Sequence, residues 1–346
     1  MLESATRRSL ATLAALLFAA AAVADPLRVV AYNIESYGNA GSAEYEAVVR
    51  IIQTLDADIV LLQEASNDNG RLAFQSAFAA QYPYRALSAA DGAGNRQQTF
   101  SRWPLMNPAQ LFGGGFQRST IRVDVDVDPL NPGGELRVYN VHWKSGTTAS
   151  DANLRLLMAQ EIRDDILAAR AVDPQIRIIV AGDFNEVPGD PAVRVLTDPP
   201  VSLRLNDEFD PNNGSRLTRP SSGRNIDHIL ISDSLNAVYD AGWTFNTMTY
   251  VPAPPPPAMV FDSANASDHI AIYADMELIQ YIPGDLNLDG FVTVSDIGPF
   301  VIAITDPATY LTIYPEASVL ELADLNGDGQ VTVSDIGPFI TLLTGS

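Results

Sequence analysis

Nine polar residues of this chain fall where an apolar run stops: Asn33, Glu35, Glu64, His142, Asp183, Asn185, Asp227, Asp268 and His269. Carboxylates, amides and imidazoles hold hard cations and move protons. Gathered at one rim of a sheet, they would make a reactive site. The clearest instance is Arg177 to Asn185, R-I-I-V-A-G-D-F-N, an apolar β-branched run that stops at Gly182. Asp183 and Asn185 are two apart, so in extended geometry they point the same way. A capped turn explains that pair equally well, because Asp and Asn both favour turns. Singly, Glu64 also reads as a surface carboxylate, His142 as a satisfied core histidine and Ser267-Asp268 as an exposed turn. It is their recurrence at strand ends that favours a site. The chain has three histidines and two of them are in this set. The third, His228, follows Asp227 and should face the other way along its strand, so it is read as structural.

The elements that must position these groups follow from periodicity. Leu27 to Ala31 reads as a strand ending at Tyr32-Asn33-Ile34-Glu35, and Ile59 to Leu62 as a strand ending at Gln63-Glu64. Between them, 44–55 places Val48, Val49, Ile51, Ile52 and Leu55 on one helical face. A helix is expected over 71–81, then a Gly-rich loop over 91–95 and a strand over 98–102. The loop is a poor nucleotide site because no helix follows it. Ile121 to Val127 alternates strictly and returns as Leu136 to Val141 after an Asn-Pro-Gly-Gly turn at 131–134, a hairpin. The longest helical pattern runs over 151–169. Asn225 to Ile231 and Ile270 to Leu278 read as further strands, and the Pro-rich 251–257 as an insertion at the site rim.

The chain of 346 residues has 47% hydrophobic content, enough for a large domain and a small one. It has no cysteine, which excludes disulfides and thiolate metal sites. Arg7 and Arg8, an apolar run from Leu10 to Val23 and the small-residue site Ala22-Val23-Ala24 predict a signal peptide over 1–24, loosely of twin-arginine type. The protein is therefore expected to be secreted, periplasmic or at the cell surface, with no membrane span in the mature chain. The net charge of −21 does not suit non-specific duplex binding, which rests on basic contacts to phosphates. It is compatible with metal use, because carboxylates need cations to approach a phosphate.

A boundary is expected near Ile282-Pro283-Gly284. Beyond it, Asp285 to Phe300 recurs almost unchanged as Asp324 to Phe339, and residues 282–346 hold nine acids with no Lys or Arg. Each copy carries oxygen donors at the first, third, fifth, ninth and twelfth loop positions and Gly at the sixth. These are Asp285, Asn287, Asp289, Thr293 and Asp296 with Gly290, then Asp324, Asn326, Asp328, Thr332 and Asp335 with Gly329. Phe291 and Gln330 supply backbone carbonyls at the seventh. This is EF-hand logic for Ca²⁺, with glycine permitting the sharp turn. The pair resembles a type I dockerin, whose loops each precede one helix. The resemblance implies a small helical domain, two bound Ca²⁺ and a cohesin-type or cell-surface scaffold partner. An intramolecular stabilising role is the alternative.

Seven motifs of the larger part occur in family order: Tyr32-Asn33-Ile34, Leu62-Gln63-Glu64, Ser101-Arg102-Trp103-Pro104, Val141-His142-Trp143-Lys144, Gly182-Asp183-Phe184-Asn185, Ile226-Asp227-His228-Ile229 and Ser267-Asp268-His269. They resemble the endonuclease/exonuclease/phosphatase superfamily of DNase I-like proteins. The resemblance implies an α+β fold, a four-layer α/β/β/α sandwich over 25–281, and metal-dependent phosphoester hydrolysis. It implies Mg²⁺ or Mn²⁺ held by Glu64 with Asn33 or Glu35, and any second ion by Asp183, Asn185, Asp268 or His269. It also makes His269 a general base whose tautomer Asp227 fixes. Asp183 would orient or deprotonate the water, Asn185 would donate to the phosphate, and His142 would contact phosphate or protonate the leaving group. Lys144 and Arg102 would contact the substrate phosphate.

Specificity is expected in the loops 67–70, 91–97, 207–223 and 251–257, with Arg216, Arg219 and Arg224 as a modest basic cluster. The favoured reading is a monomeric secreted nuclease acting on DNA or RNA. A phospholipid or sphingomyelin phosphodiesterase comes second and a phosphomonoesterase third. A catalytically idle module delivered to a scaffold is the reading from a different class.

Overall fold

The computed structural model describes residues 27–111, 118–127, 136–174, 176–206, 208–236, 239–276, 281–315 and 317–344. The expected signal peptide over 1–24 and the hairpin turn at 131–134 lie outside the described residues.

In chain order the elements are β1 (Leu27–Asn33), α1 (Ala43–Leu55), β2 (Ile59–Gln63), α2 (Asp68–Ala77), β3 (Tyr84–Leu87), β4 (Gln98–Ser101), β5 (Leu105–Leu111), β6 (Thr120–Val125), β7 (Leu136–His142), α3 (Ala149–Arg170), β8 (Arg177–Asp183), α4 (Pro191–Thr197), β9 (Arg204–Leu205), β10 (Asp227–Ile231), α5 (Asp233–Asn236), β11 (Tyr239–Phe245), α6 (Asp262–Ala266) and β12 (Ala271–Met276). The strands make two mixed sheets of six, ordered β11-β12-β1-β2-β4-β3 and β5-β6-β7-β8-β10-β9. Each has one parallel pair near its centre, β1 with β2 and β7 with β8.

Strand alternation sets the layers. In β8, Ile179 and Ala181 face the other sheet, where they meet Val29, Ala31, Ile59, Leu61 and Ile272. Ile178 and Val180 face outward onto Met158, Ala159, Ile162 and Ile166 of α3. On the opposite outer face, Val48, Ile51, Ile52 and Leu55 of α1 and Phe74 of α2 cover Val30, Val60, Leu62 and Phe100. The order helix, sheet, sheet, helix is the four-layer sandwich expected. The helices are capped as their sequences dictate. Ser42 accepts from the Tyr45 amide with Glu44 and Glu46 in the first turn of α1, and Thr148 and Asp151 form a capping box on α3.

Four strands and three helices of the sandwich escaped the sequence reading: β3, β5, β9 and β11, with α4, α5 and α6. The strands are edge or near-edge elements with interrupted patterns. β5 contains Pro108 and a register shift between Met106 and Ala109, and β11 shifts between Tyr239 and Ala241. Proline and bulges belong at sheet edges and hide the alternation. The Pro-rich stretch is not at the site rim. It ends at Ala258, whose amide bonds Thr54 in the last turn of α1, away from the strand ends that carry the candidate site.

Residues 281–344 add α7 (Ile297–Thr305), α8 (Pro307–Ile313), α9 (Val319–Ala323) and α10 (Ile336–Thr344) around their own apolar cluster, which includes Phe300, Tyr310, Leu322 and Phe339. The two loops adopt matching hydrogen bonds. Asp285 accepts from the amides of Asp289 and Gly290, and Asp324 from those of Asp328 and Gly329. Asp296 accepts from Asn287 and Thr293, and Asp335 from Asn326 and Thr332. The Asn287 and Asn326 amides reach Asp289 and Asp328. Phe291 is exposed and Gln330 likewise. No helix among the described residues is long and apolar enough to cross a membrane.

These helices meet the sandwich at Arg177, the first residue of β8. Its guanidinium bonds the Glu321 carboxylate at 2.9 Å and stacks over the Tyr281 ring. All three side chains are buried. Removing one partner of a buried ion pair costs roughly 3–5 kcal/mol, while replacing both with apolar groups can be neutral. Glu321→Ala is therefore expected to lower unfolding free energy by about 3 kcal/mol, and Arg177→Met with Glu321→Leu to restore most of it. Urea unfolding of the three proteins checks this. Equal stability of the single variant and the parent would show that the pair holds nothing.

Candidate active site

The register explains why the polar residues meet. The parallel pairs bring together the carboxyl ends of β1 and β2 (Asn33 opposite Gln63) and of β7 and β8 (His142 opposite Asp183). β10 runs antiparallel to β8 and β12 to β1. Their first residues therefore lie at the same pole, with Asp227 opposite Asp183 and His269 just ahead of β12. Three residues that turn the chain at this rim, Glu35, Glu64 and Asn185, hold the left-handed conformation with φ near +55°. That conformation is uncommon without glycine and concentrates at functional sites. Gly182, at φ 138°, admits the turn because a Cβ there would lie 2.1 Å from the Val141 carbonyl oxygen.

Asp183 is the centre. Its side chain is 2% exposed and belongs to two groups whose ligand atoms all lie within 4.8 Å of one another: Glu64, His142 and Asp183, and Asp183, Asp227 and His269. His142 Nε2 is 3.3 Å from Glu64 and 3.5 Å from Asp183. His269 Nδ1 lies 2.8 Å from Asp227, which leaves Nε2 facing Asp183 at 3.9 Å. Asn33 donates from its amide to Glu64 at 3.2 Å and to Asp183 at 3.0 Å, and its oxygen accepts from the Glu35 amide. Ser267 ties the Asn33 carbonyl to the His269 amide.

So much charge in a buried space moves the titrations. Burial opposes ionisation of Glu64, but His142, Arg118 and Asn33 more than offset it and hold the carboxyl down at about 2. Burial likewise opposes the charge on His269, and Asp227, Asp183 and Asp268 overcome it, taking the ring up to about 9. Burial pushes Asp227 up, with His269 pulling it back. His228 behaves as expected of a structural residue. It is buried, bonds the Glu186 carbonyl, packs on Phe184 and is pushed down to about 4 by burial.

Several expected roles need correction. Arg102 is at the far pole, paired with Asp56 and Asp58, because β4 runs antiparallel to β2 and ends where β2 begins. Lys144 bonds the Ser145 carbonyl and Asp151 and is turned to the start of α3. Asn185 donates its amide hydrogens to the Trp143 carbonyl and to Asp183. Glu35 is exposed and Asp268 is gripped by Arg219, and neither joins the two groups. Glu35 and Asp268 instead line a depression of about 320 Å³ with Glu44 and Ala264. Of the expected basic cluster, Arg219 reaches Asp268 and Arg224 bonds the Asn185 carbonyl.

Arg118 was missed. It touches His142 Nε2, bonds the Trp143 carbonyl and lies 3.7 Å from Glu64. The signal was present in the hairpin: a residue just ahead of a strand antiparallel to the one ending in His142 must sit beside that histidine.

The donor set suits a hard divalent cation. Glu64 and Asp183 present carboxylate oxygens and His142 a ring nitrogen, a set that fits a divalent metal. Neither calcium-type loop brings three carboxylates as close among the described residues.

A two-sheet sandwich with acids and imidazoles at one rim defines a class of hydrolytic folds, and the comparisons resolve it. The chain belongs to the Endonuclease/Exonuclease/phosphatase family, whose model matches residues 30–269. Members of this family are phosphoric ester hydrolases. The fold is similar to an endonuclease/exonuclease/phosphatase from Beutenbergia cavernae, with 20% identity, a TM-score of 0.55, and 75% of this chain and 72% of that one covered. It is also similar to truncated TDP2 from Caenorhabditis elegans, with 16% identity, a TM-score of 0.54, and 73% and 98% covered. A 3′ phosphatase from Neisseria, bound to a product DNA hairpin, matches with 15% identity, a TM-score of 0.52, and 73% and 100% covered. No curated protein matches the sequence.

The raised His269 has a consequence for the metal-free protein. A ring held at about 9, against 6.5 when unfolded, adds stability that is complete below pH 6.5 and is lost as pH rises through 9. In EDTA, stability should fall by up to roughly 3 kcal/mol between pH 6 and pH 10, and His269→Gln should remove most of that slope. Urea unfolding across this range decides it. An unchanged slope in the variant would mean the proton is held elsewhere.

Proposed function

We propose that this protein is a metal-dependent phosphodiesterase acting on nucleic acid. The observation that carries the reading is the buried Asp183 carboxylate, shared by an acid-and-imidazole cation site on one side and an Asp–His pair on the other. A divalent cation at Glu64 and Asp183 would neutralise a phosphoryl oxygen and, by offsetting the same carboxylates, let His269 surrender its proton. Asp227 holds the His269 Nδ1 hydrogen, so Nε2 is the nitrogen that faces the site and takes the proton of an attacking water. Asp183 lies between that nitrogen and His142 and orients the water. Asn185 and Asn33 fix the Asp183 carboxylate. Arg118, beside His142 and Glu64, stands where it can meet the phosphate oxygens.

A nucleic-acid substrate is supported by Arg118, which flanks the carboxylates beside Glu64. A lipid phosphodiester is the second reading. It is supported by the wide acidic depression beside Asp268, which suits a cationic head group. The purified protein should cleave plasmid DNA, RNA or bis-p-nitrophenyl phosphate with Mg²⁺ or Mn²⁺ and lose that activity in EDTA. His269→Ala should reduce turnover by about 10³-fold with the fold intact. Turnover of sphingomyelin alone would move the assignment to the second reading, and no turnover of any of these by folded protein would end the phosphoesterase reading.

We also propose that residues 1–24 direct export and that residues 282–346 form a calcium-binding unit of the dockerin kind. The near-identity of the two loops supports this. So does an exposed apolar surface that repeats with them, Val294, Ile297 and Val301 in one copy and Val333, Ile336 and Ile340 in the other. Such a surface suits a cohesin-type scaffold partner. Calcium should raise the unfolding temperature of the full chain by several degrees. Asp296→Ala with Asp335→Ala should abolish the shift, and calorimetry with Ca²⁺ or EGTA reads it.

A further inference from the structure

The loop ahead of β10 carries Arg216, Arg219 and Arg224 and looks, as sequence, like a substrate loop. Its contacts point backwards, into the site's supports. Thr218 is 1% exposed. Its Oγ1 accepts from the amides of Ile226 and Asp227, both at 3.0 Å. A hydroxyl oxygen has two lone pairs, and both are engaged by these two amides at the start of β10. The Thr218 carbonyl accepts from the Ile270 amide at 2.7 Å, next to His269. The following residue, Arg219, closes a fork on Asp268 Oδ2 at 2.5 and 2.8 Å, on the other side of His269. The loop is itself closed by the amides of Thr218 and Arg219 on the Arg224 carbonyl.

We propose that Thr218 and Arg219 form a positioning clamp for His269, fixing the strands and carboxylates on both sides of its ring. β10 and β12 belong to different sheets, so no ladder hydrogen bond sets the distance between Asp227 and His269. The Thr218 side chain is bonded to the first of these strands and its carbonyl to the second. This explains why a threonine stands here: it is small enough to be buried between two strand ends, and its hydroxyl still accepts from two amides. It gives Arg219 a role without substrate, since its charge is matched by Asp268 within the protein. The inference rests on the proposed hydrolase reading only for its kinetic test.

Misplacing a catalytic group by about 1 Å costs on the order of 10²-fold in rate. Thr218→Val, which keeps shape and loses the hydroxyl, should lower kcat about 100-fold on bis-p-nitrophenyl phosphate with KM within about threefold. Thr218→Ser should stay within about threefold of the parent. Arg219→Met, at a side chain more than one-third exposed and so tolerated if Thr218→Val does not fold, should lower kcat about tenfold at constant KM. A raised KM with unchanged kcat in Arg219→Met would make Arg219 a substrate contact and overturn its part of the clamp. The second readout needs no turnover. The downfield proton resonance of His269 Nδ1–H, bonded to Asp227, should be present in the parent and in Thr218→Ser and broadened or lost in Thr218→Val. If the parent is inactive but this resonance follows the prediction, the clamp stands and the hydrolase reading falls. If resonance and kcat are both unchanged in Thr218→Val, the clamp is wrong.

Discussion

The constraint on which the rest depends is the burial of one carboxylate among others. Asp183 lies within reach of Glu64, Asp227, His142 and His269, almost wholly out of water. Like charges at such distances repel strongly where the local dielectric is low. The fold answers with donors and cations. Asn33 and Asn185 point amide hydrogens at Asp183, His269 is driven to carry a proton, and Arg118 and Arg219 flank the acids. A site built in this way attracts a divalent cation because a cation does the same work more completely. The raised His269, beside Asp227, Asp183 and Asp268, and the lowered Glu64, beside His142, Arg118 and Asn33, show the acids and bases of the site holding each other in their charged forms.

This arrangement needs two sheets. Within one sheet, the parallel pairs align Asn33 with Gln63 and His142 with Asp183, but they cannot bring the first set to the second. Face-to-face packing of Val29, Ala31 and Leu61 on Ile179 and Ala181 does so. The site is the open upper edge of that apolar interface, where side chains on the inner faces change from aliphatic to polar. Gln63 and Asn140 mark the change, the Gln63 amide bonding Asn140 across the gap at 2.8 Å.

What could be read from sequence follows from this geometry. Strands with clean patterns, Leu27 to Ala31, Ile59 to Leu62 and Ile178 to Ala181, announce both themselves and the polar residues that follow them. Direction was the missing information. Arg102 follows a strand and was placed at the site, but that strand runs antiparallel to β2 and delivers it to the far pole. Arg118 precedes a strand and was passed over, yet β6 runs antiparallel to β7 and sets it against His142. Only carboxyl ends of one direction and amino ends of the other share a pole, and neither a motif nor an apolar run states the direction of its strand. Asn185 and Asp268 were placed at the rim correctly, but side-chain partners decide their roles and leave no trace in spacing.

The same argument of poles separates the two parts of the chain. β8 starts at Arg177, buried against Glu321 and Tyr281, and ends at Asp183. Seven extended residues put these ends about 20 Å apart. The carboxyl-terminal helices therefore rest on the pole opposite the site, and their contact with the sandwich cannot block a substrate from reaching Asp183. It also leaves the repeated apolar positions at Val294, Val301, Val333 and Ile340 facing outward. One strand thus carries a residue that contacts the carboxyl-terminal helices at its start and the central carboxylate of the candidate site at its end. An attachment made through the helices would leave the strand ends facing solvent.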